Sequence, residues 1–244
     1  MASSRELVQI GCCGFRSSRE SYYSLLSAVE VQHTFYQPPQ ISTLEKWRQE
    51  APPGFEFTVK AWQLITHQSS SPTYRRLKRE LTESESERCG SFRSSRIVKE
   101  AWDVTAECAR ALKARMVLFQ CPASFRPTKV NLDNMRKFFS KLKRAELSCC
   151  WEPRGAWPPE LISELCDELD LWHVVDPFKQ RTVTPERCYY RLHGRQGWRY
   201  TYEDAELEEL VHMLPRATES YVFFNNIKMK EDALRFKEIV AGER

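Results

Sequence analysis

The sequence of 244 residues contains only 8 glycines and has no apolar run long enough to span a membrane. A spanning helix needs roughly 20 apolar residues, so a transmembrane helix is excluded. The shortage of glycine argues against glycine-rich phosphate-binding loops, because those loops need backbone conformations that glycine adopts most easily. The first residues lack the apolar stretch of a signal peptide, and we therefore expect a cytoplasmic protein that does not act at a membrane.

A large excess of charge of one sign is also missing, since 37 Lys and Arg face 33 Asp and Glu for a net charge of +4. This weak excess favours an anionic partner. What the sequence does have is 41% hydrophobic residues, which suffices for the core of a globular protein. Its nine cysteines form no Cys-x-x-Cys pair, so we expect buried thiols rather than a zinc site. Disulfides are expected only if the source is a hyperthermophile.

Eight short apolar runs, rich in β-branched and aromatic residues, predict eight strands. They are Leu7–Cys12, Val29–Phe35, Phe55–Ala61, Met116–Gln120, Leu147–Trp151, Leu171–Val175, Cys188–Leu192 and Tyr221–Phe224. Segments with helical spacing separate most of them. With about 30 residues for each strand and helix, this pattern predicts a single α/β domain over residues 1–244, a (β/α)8 barrel of the TIM type. The alternative, a doubly wound open sheet, usually has fewer strands and often a glycine-rich first turn.

Two intervals depart from the regular alternation. The interval between the third and fourth strands is far longer than a crossover needs, and we predict a basic insertion or lid over residues 65–96. The interval between the sixth and seventh strands contains Pro177 and Pro185 and is too short for a helix with two loops. We therefore predict a degenerate crossover at that point.

Polar residues stand at the carboxyl ends of at least six predicted strands, where parallel barrels carry their active sites. Glu152 and Asp176 follow neighbouring strands, and His193 follows the next strand. Two carboxylates and an imidazole at one edge predict acid–base catalysis by these three residues, or ligation of a divalent metal ion. The alternative is an ion-pair network that only neutralises buried charge.

Further polar residues at the same edge suit substrate binding. The candidates are Lys60, Gln120, Arg154, Arg191, Asn225, Gln32 and His67. Lysine and arginine donate hydrogen bonds to phosphate or carboxylate groups, whereas the amide side chains fix orientation. Gln32 is included because, in a strand, it would share one face with Glu30 and Thr34. His67 is included because it follows the third strand and would lie at the mouth of the site.

Eight motifs that run in order along the chain, together with Asp176, carry a family resemblance. The motifs are Ile10-Gly11-Cys12-Cys13-Gly14-Phe15, Glu30-Val31-Gln32-His33-Thr34-Phe35-Tyr36, Phe57-Thr58-Val59-Lys60-Ala61, Ile65-Thr66-His67, Leu118-Phe119-Gln120-Cys121-Pro122-Ala123-Ser124-Phe125, Trp151-Glu152-Pro153-Arg154, Tyr190-Arg191-Leu192-His193-Gly194 and Phe223-Phe224-Asn225-Asn226. Together they resemble the YecE-like family, also called domain of unknown function 72. The resemblance implies a TIM barrel with a pocket at these motifs but no settled activity. That barrel is similar in fold to the xylose-isomerase and endonuclease-IV-like group.

The chain departs from the family pattern at Cys12-Cys13, where Thr-Ser is usual, and at Gln32, where Asn is usual. These departures predict a divergent branch of the family, of archaeal origin.

Three functions are compatible with the predicted site. The leading hypothesis is a hydrolase that acts on a phosphate-bearing substrate, either a nucleic acid or a nucleotide. In it Glu152, Asp176 and His193 act as base, acid or metal ligands, and Arg75, Arg76 and Arg79 extend the nucleic-acid-binding surface. The second hypothesis is a sugar or sugar-phosphate isomerase or lyase. The third is a nucleic-acid-binding module without catalytic activity.

Overall fold

The computed structural model of the protein describes residues 8–215 and 218–242, in which eight parallel strands form a closed barrel. In barrel order, which is also chain order, the strands are β1 (Val8–Cys13), β2 (Ala28–Val31), β3 (Glu56–Lys60), β4 (Met116–Gln120), β5 (Ser148–Glu152), β6 (Leu171–Val175), β7 (Cys188–Leu192) and β8 (Ser220–Phe224). The (β/α)8 class is therefore confirmed. The paired residues of β4 and β5 run from Met116 opposite Ser148 to Gln120 opposite Glu152.

Ten α-helices and one 3-10 turn connect or follow these strands in the described part of the chain. The helices are α1 (Arg19–Leu25), α2 (His33–Tyr36), α3 (Ile41–Glu50), α4 (Gln63–Thr66), α5 (Glu83–Arg88), α6 (Arg96–Leu112), α7 (Lys129–Lys141), α8 (Pro159–Leu169), α9 (Asp204–His212) and α10 (Met229–Ala241), and the 3-10 turn is Pro72–Arg76. None of the helices within residues 8–215 and 218–242 is both long and apolar enough to cross a membrane.

Two compact units make up the chain. The first contains the described parts of Met1–Val31, Gln49–Phe57 and Trp172–Arg244, and the second contains Gln32–Arg48 and Thr58–Leu171. Aromatic side chains form the core of each unit: Tyr189 stacks on Tyr221 in the first, and Phe119 packs against Phe139 in the second. The single domain expected over residues 1–244 stays a prediction.

Helix α6 shows how the sequence specifies one layer of the second unit. Ser95 caps its first turn, because the Ser95 hydroxyl accepts a hydrogen bond from the Val98 amide. Eight buried residues then recur at helical spacing, from Ile97 to Leu112, and form one apolar face. The helix ends where Lys113 adopts a left-handed conformation with a φ of 53°.

The predicted strands lie within a few residues of the observed ones, except at the second strand. There the prediction ran from Val29 to Phe35, but the strand ends at Val31 and residues His33–Tyr36 form α2. The common face predicted for Glu30, Gln32 and Thr34 is therefore wrong, because a helical turn breaks the two-residue alternation of a strand. Leu7, which the prediction placed in the first strand, lies outside the described residues.

The predicted insertion over residues 65–96 consists of short helical segments and turns. Its last turn lies against α4, because the amides of Gly90 and Phe92 donate to the carbonyls of Leu64 and Ile65 at 2.7 and 2.9 Å. The Phe92 ring packs on Phe119, Phe125, Phe138 and Phe139, with ring centroids 5.3 to 6.1 Å apart. This aromatic cluster fixes the end of the insertion in the core of the second unit.

The segment between β6 and β7 contains no helix in its described residues, 176–187, which matches the degenerate crossover that the two prolines predicted. It packs back on β6 instead. Thr184 accepts a hydrogen bond from the His173 amide at 3.0 Å, and the Val183 amide donates to His173 Nδ1 at 3.1 Å. His173 thus holds this segment in place.

All nine cysteines are buried, and none is bonded to another. Burial raises the pKa of Cys149 to about 12, so this thiol stays protonated near neutral pH. The cysteines therefore belong to the packed interior, as their positions in apolar runs predicted.

Gly90 provides a test of the turn that ends the insertion. Its φ is +73°, and a Cβ at this position would lie 2.2 Å from the His67 carbonyl oxygen. Replacing Gly90 with alanine should lower the free energy of unfolding by at least about 3 kcal/mol, since the left-handed strain and the backbone clash add. The measurement is urea denaturation followed by circular dichroism.

Gly54 is the matched control, because its φ is +82° but its Cβ would meet no atom within 4 Å. Gly54→Ala should therefore lose only the conformational part, about 1 kcal/mol. Equal losses in the two variants would contradict the contact between the turn and His67.

Candidate functional site

Three neighbouring strands of the second unit end in polar side chains. Lys60 is the last residue of β3, Gln120 of β4 and Glu152 of β5. His67 and Arg154 follow β3 and β5 and complete a group that we call the β3–β5 cluster, made of Lys60, His67, Gln120, Glu152 and Arg154. The carboxyl ends of barrel strands are where enzymes of this fold place their chemistry, so the location fits a binding or catalytic site.

The Lys60 ammonium group is buried and held on two sides. Its Nζ donates to Gln120 Oε1 at 2.9 Å and lies 3.9 Å from the centroid of the Phe35 ring. The Thr34 hydroxyl donates to the Lys60 carbonyl at 2.7 Å, which ties the end of β3 to α2. Because Phe35 also packs edge-to-face on His67 at 4.9 Å, one aromatic ring contacts two members of the cluster.

Glu152 and Arg154 form the charged pair of the cluster. An Arg154 Nη donates to Glu152 Oε1 at 2.7 Å, as expected for residues two apart at a strand end. The two side chains differ in exposure, with 39% for Arg154 and 7% for Glu152. The Arg154 side chain is thus partly open to solvent, whereas the Glu152 carboxylate is almost fully buried.

His67 is a buried histidine among positive charges. Its Nδ1 lies 2.8 Å from the Thr66 hydroxyl, and its carbonyl accepts a hydrogen bond from the Tyr74 hydroxyl of the insertion at 2.8 Å. Burial, followed by the charges of Lys60 and Arg154, lowers the pKa of His67 from 6.5 to about 3. The imidazole is therefore neutral at physiological pH, and it acts as a hydrogen-bonding group rather than as a third cation.

The three arginines predicted to bind nucleic acid occupy different surroundings on the insertion. Arg75 is exposed. The Arg76 guanidinium lies 3.6 Å from the centroid of the Tyr36 ring, a cation–π contact, and Arg79 pairs with Glu85. Arg79 therefore has a carboxylate partner within its own segment.

In the first unit, Arg191 is part of a buried ion pair. Its Nε and one Nη donate to the two carboxylate oxygens of Glu30 at 3.0 and 2.8 Å, and the Tyr189 hydroxyl donates to the same carboxylate at 2.7 Å. The exposed fractions are 1% for Arg191 and 0% for Glu30. This bidentate geometry directs the guanidinium group to Glu30, which is the ion-pair alternative considered for the strand-end charges.

Asp176, His193 and Asn225 also lie in the first unit. The Asp176 carboxylate accepts hydrogen bonds from the backbone amides of Phe178 at 3.2 Å and His193 at 3.0 Å. His193 Nδ1 lies 3.1 Å from the Asn225 side-chain nitrogen. The structure thus joins Asp176, His193 and Asn225 in one chain of contacts, while Lys60, His67, Gln120, Glu152 and Arg154 form the cluster of the second unit.

Gln32, the remaining candidate, precedes α2 in the second unit and is partly buried. The sequence did not single out Phe35 or Tyr36 for the site, although both contact cationic candidates. The signal was weak, because an aromatic residue beside a strand usually indicates core packing.

No group of three or more His, Cys, Asp and Glu side chains is placed for metal binding within residues 8–215 and 218–242. Among the predicted ligands, Glu152 accepts a hydrogen bond from Arg154, and each carboxylate oxygen of Asp176 accepts a hydrogen bond from a backbone amide. These residues do not fit a metal centre as they stand, and we derive no step through a metal ion. The divalent metal stays a prediction.

The closed parallel barrel with polar strand ends places the protein among the TIM-barrel proteins. Within that class, residues 14–243 match the model of the protein family of unknown function DUF72, and the chain belongs to this family. The YecE-like resemblance is thereby confirmed, and the archaeal origin stays a prediction.

Two relatives illustrate the likeness. The UPF0759 protein YunF of Bacillus subtilis is 27% identical over 243 residues, covering 85% of this chain and 79% of YunF. The crystal structure of a DUF72 family protein of Enterococcus faecalis superposes with a TM-score of 0.73 at 21% identity, covering 96% of this chain and 95% of that one.

Two other solved structures share the fold at lower identity. A xylose isomerase domain containing protein of Salmonella typhimurium superposes with a TM-score of 0.58 at 12% identity and covers 100% of this chain and 98% of its own. Endonuclease IV of Thermus thermophilus superposes with a TM-score of 0.53 at 11% identity, covering 97% of this chain and 100% of the endonuclease chain. At these identities the likeness concerns the fold alone.

The buried pair in the first unit predicts a large loss of stability when one partner is removed. Arg191→Met should lower the free energy of unfolding by about 3–5 kcal/mol, because the Glu30 carboxylate would remain buried without its cation. The double variant with Glu30→Met should lose less than Arg191→Met alone. Urea denaturation of the three proteins measures both effects.

Arg19→Ala is the control for this experiment, because its pair with Glu50 is about one-third exposed on both sides and should contribute less than about 1 kcal/mol. An Arg191→Met protein of normal stability that binds anions more weakly would instead support the predicted role of Arg191 in substrate binding.

The lowered pKa of His67 predicts a pH dependence of stability. The unfolded chain binds a proton at His67 near pH 6.5, whereas the folded chain does so only near pH 3, so stability falls as the pH drops below 6.5. Between pH 7 and pH 5 the wild-type protein should lose about 2 kcal/mol more than His67→Gln. Urea denaturation at both pH values, compared between the two proteins, gives this difference. A constant difference would show that His67 titrates normally.

Proposed function

We propose that the protein is a hydrolase of a phosphate-bearing substrate, a nucleic acid or a nucleotide, with its active site at the β3–β5 cluster. The observation that supports this most strongly is the presence of two cations, Lys60 and Arg154, beside the Glu152 carboxylate at the ends of neighbouring strands. A phosphoester needs positive charge around its oxygens and a base for the attacking water, and this set offers both.

Each member of the cluster has a role in this proposal. The Arg154 guanidinium, which is partly exposed, receives the phosphate oxygens, and the Lys60 ammonium group neutralises the charge that grows on them. Gln120 holds Lys60 in place through the bond at 2.9 Å. The neutral His67 donates or accepts a hydrogen bond without adding charge.

The reaction consumes one water molecule. Glu152 accepts a proton from this water as its oxygen attacks phosphorus, and the bond from phosphorus to the leaving oxygen breaks. The leaving oxygen takes up a proton from solvent water, and Glu152 returns its proton to solvent. The products are an alcohol and a phosphate group with one fewer ester bond. When the anionic substrate binds, its phosphate oxygens accept hydrogen bonds from Arg154. The interaction of Arg154 with Glu152 is then weakened, and the carboxylate becomes available as a base.

Asp176, His193 and Asn225 have a supporting part in the proposal. Asp176 accepts hydrogen bonds from the backbone amides of Phe178 and His193, and it therefore positions the backbone at His193. His193 stays a predicted catalytic group and Asn225 a predicted substrate-binding residue, whereas Arg191 is left out of the substrate-binding set because it serves Glu30.

The second candidate is a sugar or sugar-phosphate isomerase or lyase. The Lys60 amine at the end of β3 favours it, because a lysine at the carboxyl end of a barrel strand can move protons of a bound sugar. The comparisons give support of equal kind to both candidates, since an endonuclease and a xylose isomerase domain share the fold.

Glu152→Gln tests the proposed hydrolysis. The purified protein is incubated with single- and double-stranded DNA, RNA, nucleotides and sugar phosphates, each with and without chelator, and kcat is measured on whichever phosphoester is cleaved. The variant should lose 100-fold or more in kcat, on the order expected for a general base, because the amide cannot accept the proton.

Glu146→Gln is the matched control, since Glu146 is an exposed residue outside the cluster and should leave kcat unchanged. Unchanged phosphoester turnover in Glu152→Gln would overturn the assignment of the base. Solvent proton exchange into an aldose, without any phosphoester cleavage, would establish the isomerase instead, and binding of nucleic acid that never leads to turnover would establish the binding module.

A further inference from the structure

A groove lies between α6 and α7 on the helical layer of the second unit, with a volume of about 760 Å³. Residues before and within α6 form one wall, and the end of α7 with the following turn forms the other. Six cations line this groove: Arg93, Arg96, Lys99, Lys137, Lys141 and Lys143. Asp103 is the one carboxylate in its described lining, so the local charge is strongly positive although the whole chain carries only +4.

Most of this positive charge is not neutralised by the protein itself. Lys99, Lys137, Lys141 and Lys143 are exposed, and none of them forms a salt bridge within residues 8–215 and 218–242. The pKa of Asp133 is lowered chiefly by its hydrogen bond with Lys129 and to a smaller extent by the charge of Lys137. Arg96 contacts Glu100, but its side chain remains 92% exposed. A cluster of unpaired cations costs electrostatic free energy in the free protein, and a bound anion would recover it.

The groove is also elongated. Its α6 wall runs from Ser95 to Asp103, which corresponds to about 12 Å along the helix axis, the spacing of three to four phosphates in one strand of B-form DNA. At Ser95 and Arg96 it meets a second cavity of about 370 Å³, which holds two carboxylates, Glu85 and Glu100, that pair with Arg79 and Arg96. The positive charge therefore follows a track along the walls of the α6–α7 groove, and it is largely neutralised in the second cavity.

The floor of the groove argues against an amphipathic acidic helix as the occupant. Trp102 and Phe138 form much of this floor, but they are only 5% and 9% exposed. Helix-in-groove recognition depends on pockets that receive apolar anchors, and these two rings are already covered by the protein, so they offer such a helix few anchoring contacts. The exposed cations are the main attraction that the groove offers.

We infer that the α6–α7 groove binds the sugar–phosphate backbone of a nucleic-acid strand, with Lys99, Lys137, Lys141 and Lys143 contacting successive phosphates. The inference extends the proposed function, because it describes how a polymeric substrate is held outside the β3–β5 cluster. Recognition through point charges carries no sequence information, so the binding is independent of sequence and sensitive to salt.

The test measures binding of a fluorescein-labelled single-stranded DNA 20-mer by anisotropy between 50 and 300 mM salt. The triple variant Lys99→Gln, Lys137→Gln and Lys141→Gln should flatten the slope of log K against log salt by about 2, at about 0.7 for each lost phosphate contact. The same relation gives a loss of affinity on the order of 100-fold at 0.1 M salt.

Two further variants serve as controls for this triple variant. The triple variant Lys46→Gln, Lys113→Gln and Lys230→Gln removes the same charge from residues outside the groove and should change the affinity less than about threefold. Asp103→Asn should strengthen binding severalfold, because it removes the carboxylate from the lining. Equal losses in both triple variants, or no binding of DNA by the wild-type protein, would overturn the inference. Groove-dependent binding of a glutamate-rich peptide without binding of DNA would overturn the choice of nucleic acid.

A dinucleotide distinguishes this inference from the proposed function. It carries a single phosphodiester, too few for the track of cations, so its turnover reports on the β3–β5 cluster alone. If the groove variant cleaves the dinucleotide normally but binds the 20-mer weakly, both ideas stand. If dinucleotide and polymer are never cleaved while the groove still binds DNA, the proposed hydrolysis fails and the groove remains.

Discussion

Burial on both faces is the physical constraint on which the arrangement of this barrel depends. Each strand of a closed parallel sheet has one face toward the helices and one toward the interior, so an apolar run satisfies both, as in β4, where only Gln120 is not fully buried. A charge inside a strand must then be paired with good geometry or placed at a strand end. Glu30 and Arg191 take the first solution, and Lys60, Glu152 and Arg154 take the second.

These two solutions have different consequences for function. The Glu30 carboxylate receives two donors from Arg191 and one from Tyr189, so its hydrogen-bonding capacity is largely used inside the protein. Arg154, by contrast, is bonded to Glu152 while part of its guanidinium group faces solvent. The open part of the Arg154 guanidinium group can therefore reach a ligand, whereas the Arg191 guanidinium group cannot do so without giving up Glu30. This difference is why we place chemistry at the β3–β5 cluster and stability at Arg191.

Much of the fold could be predicted from the sequence, because burial on both faces requires each strand to be a short run of mostly apolar residues. Met116–Gln120, Leu171–Val175 and Cys188–Leu192 were predicted with their observed bounds, since each is a short apolar run between polar segments. The second strand was predicted too long, because the pattern of residues from Val29 to Phe35 fits a continuous strand as well as a strand that turns into α2. Local hydrophobicity does not distinguish these two outcomes, which are decided by the Thr34 hydroxyl on Lys60 and by Phe35 packing.

The candidate site was predictable in its residue types and positions but not in its partnerships. Strand ends identified Lys60, Gln120, Glu152 and Arg154, and the structure brings these four together with His67. The bond between Arg191 and Glu30 joins residues 161 positions apart, and one sequence without comparison holds no signal for so distant a pair. The lowered pKa of His67 was likewise hidden, because it depends on the charges of Lys60 and Arg154 in three dimensions.

The insertion connects the site and the groove through one short turn. Its Tyr74 hydroxyl and the Gly90 turn both contact the backbone near His67, and two residues later Phe92 enters the aromatic core with a φ of 53°. Arg93, the next residue, already lines the α6–α7 groove. The chain contacts the His67 backbone at Gly90 and reaches the groove at Arg93, and between them it passes through three consecutive left-handed residues, Gly90, Ser91 and Phe92. The backbone strain in this turn is therefore the structural cost of placing the proposed catalytic cluster and the proposed polymer-binding groove on one continuous segment.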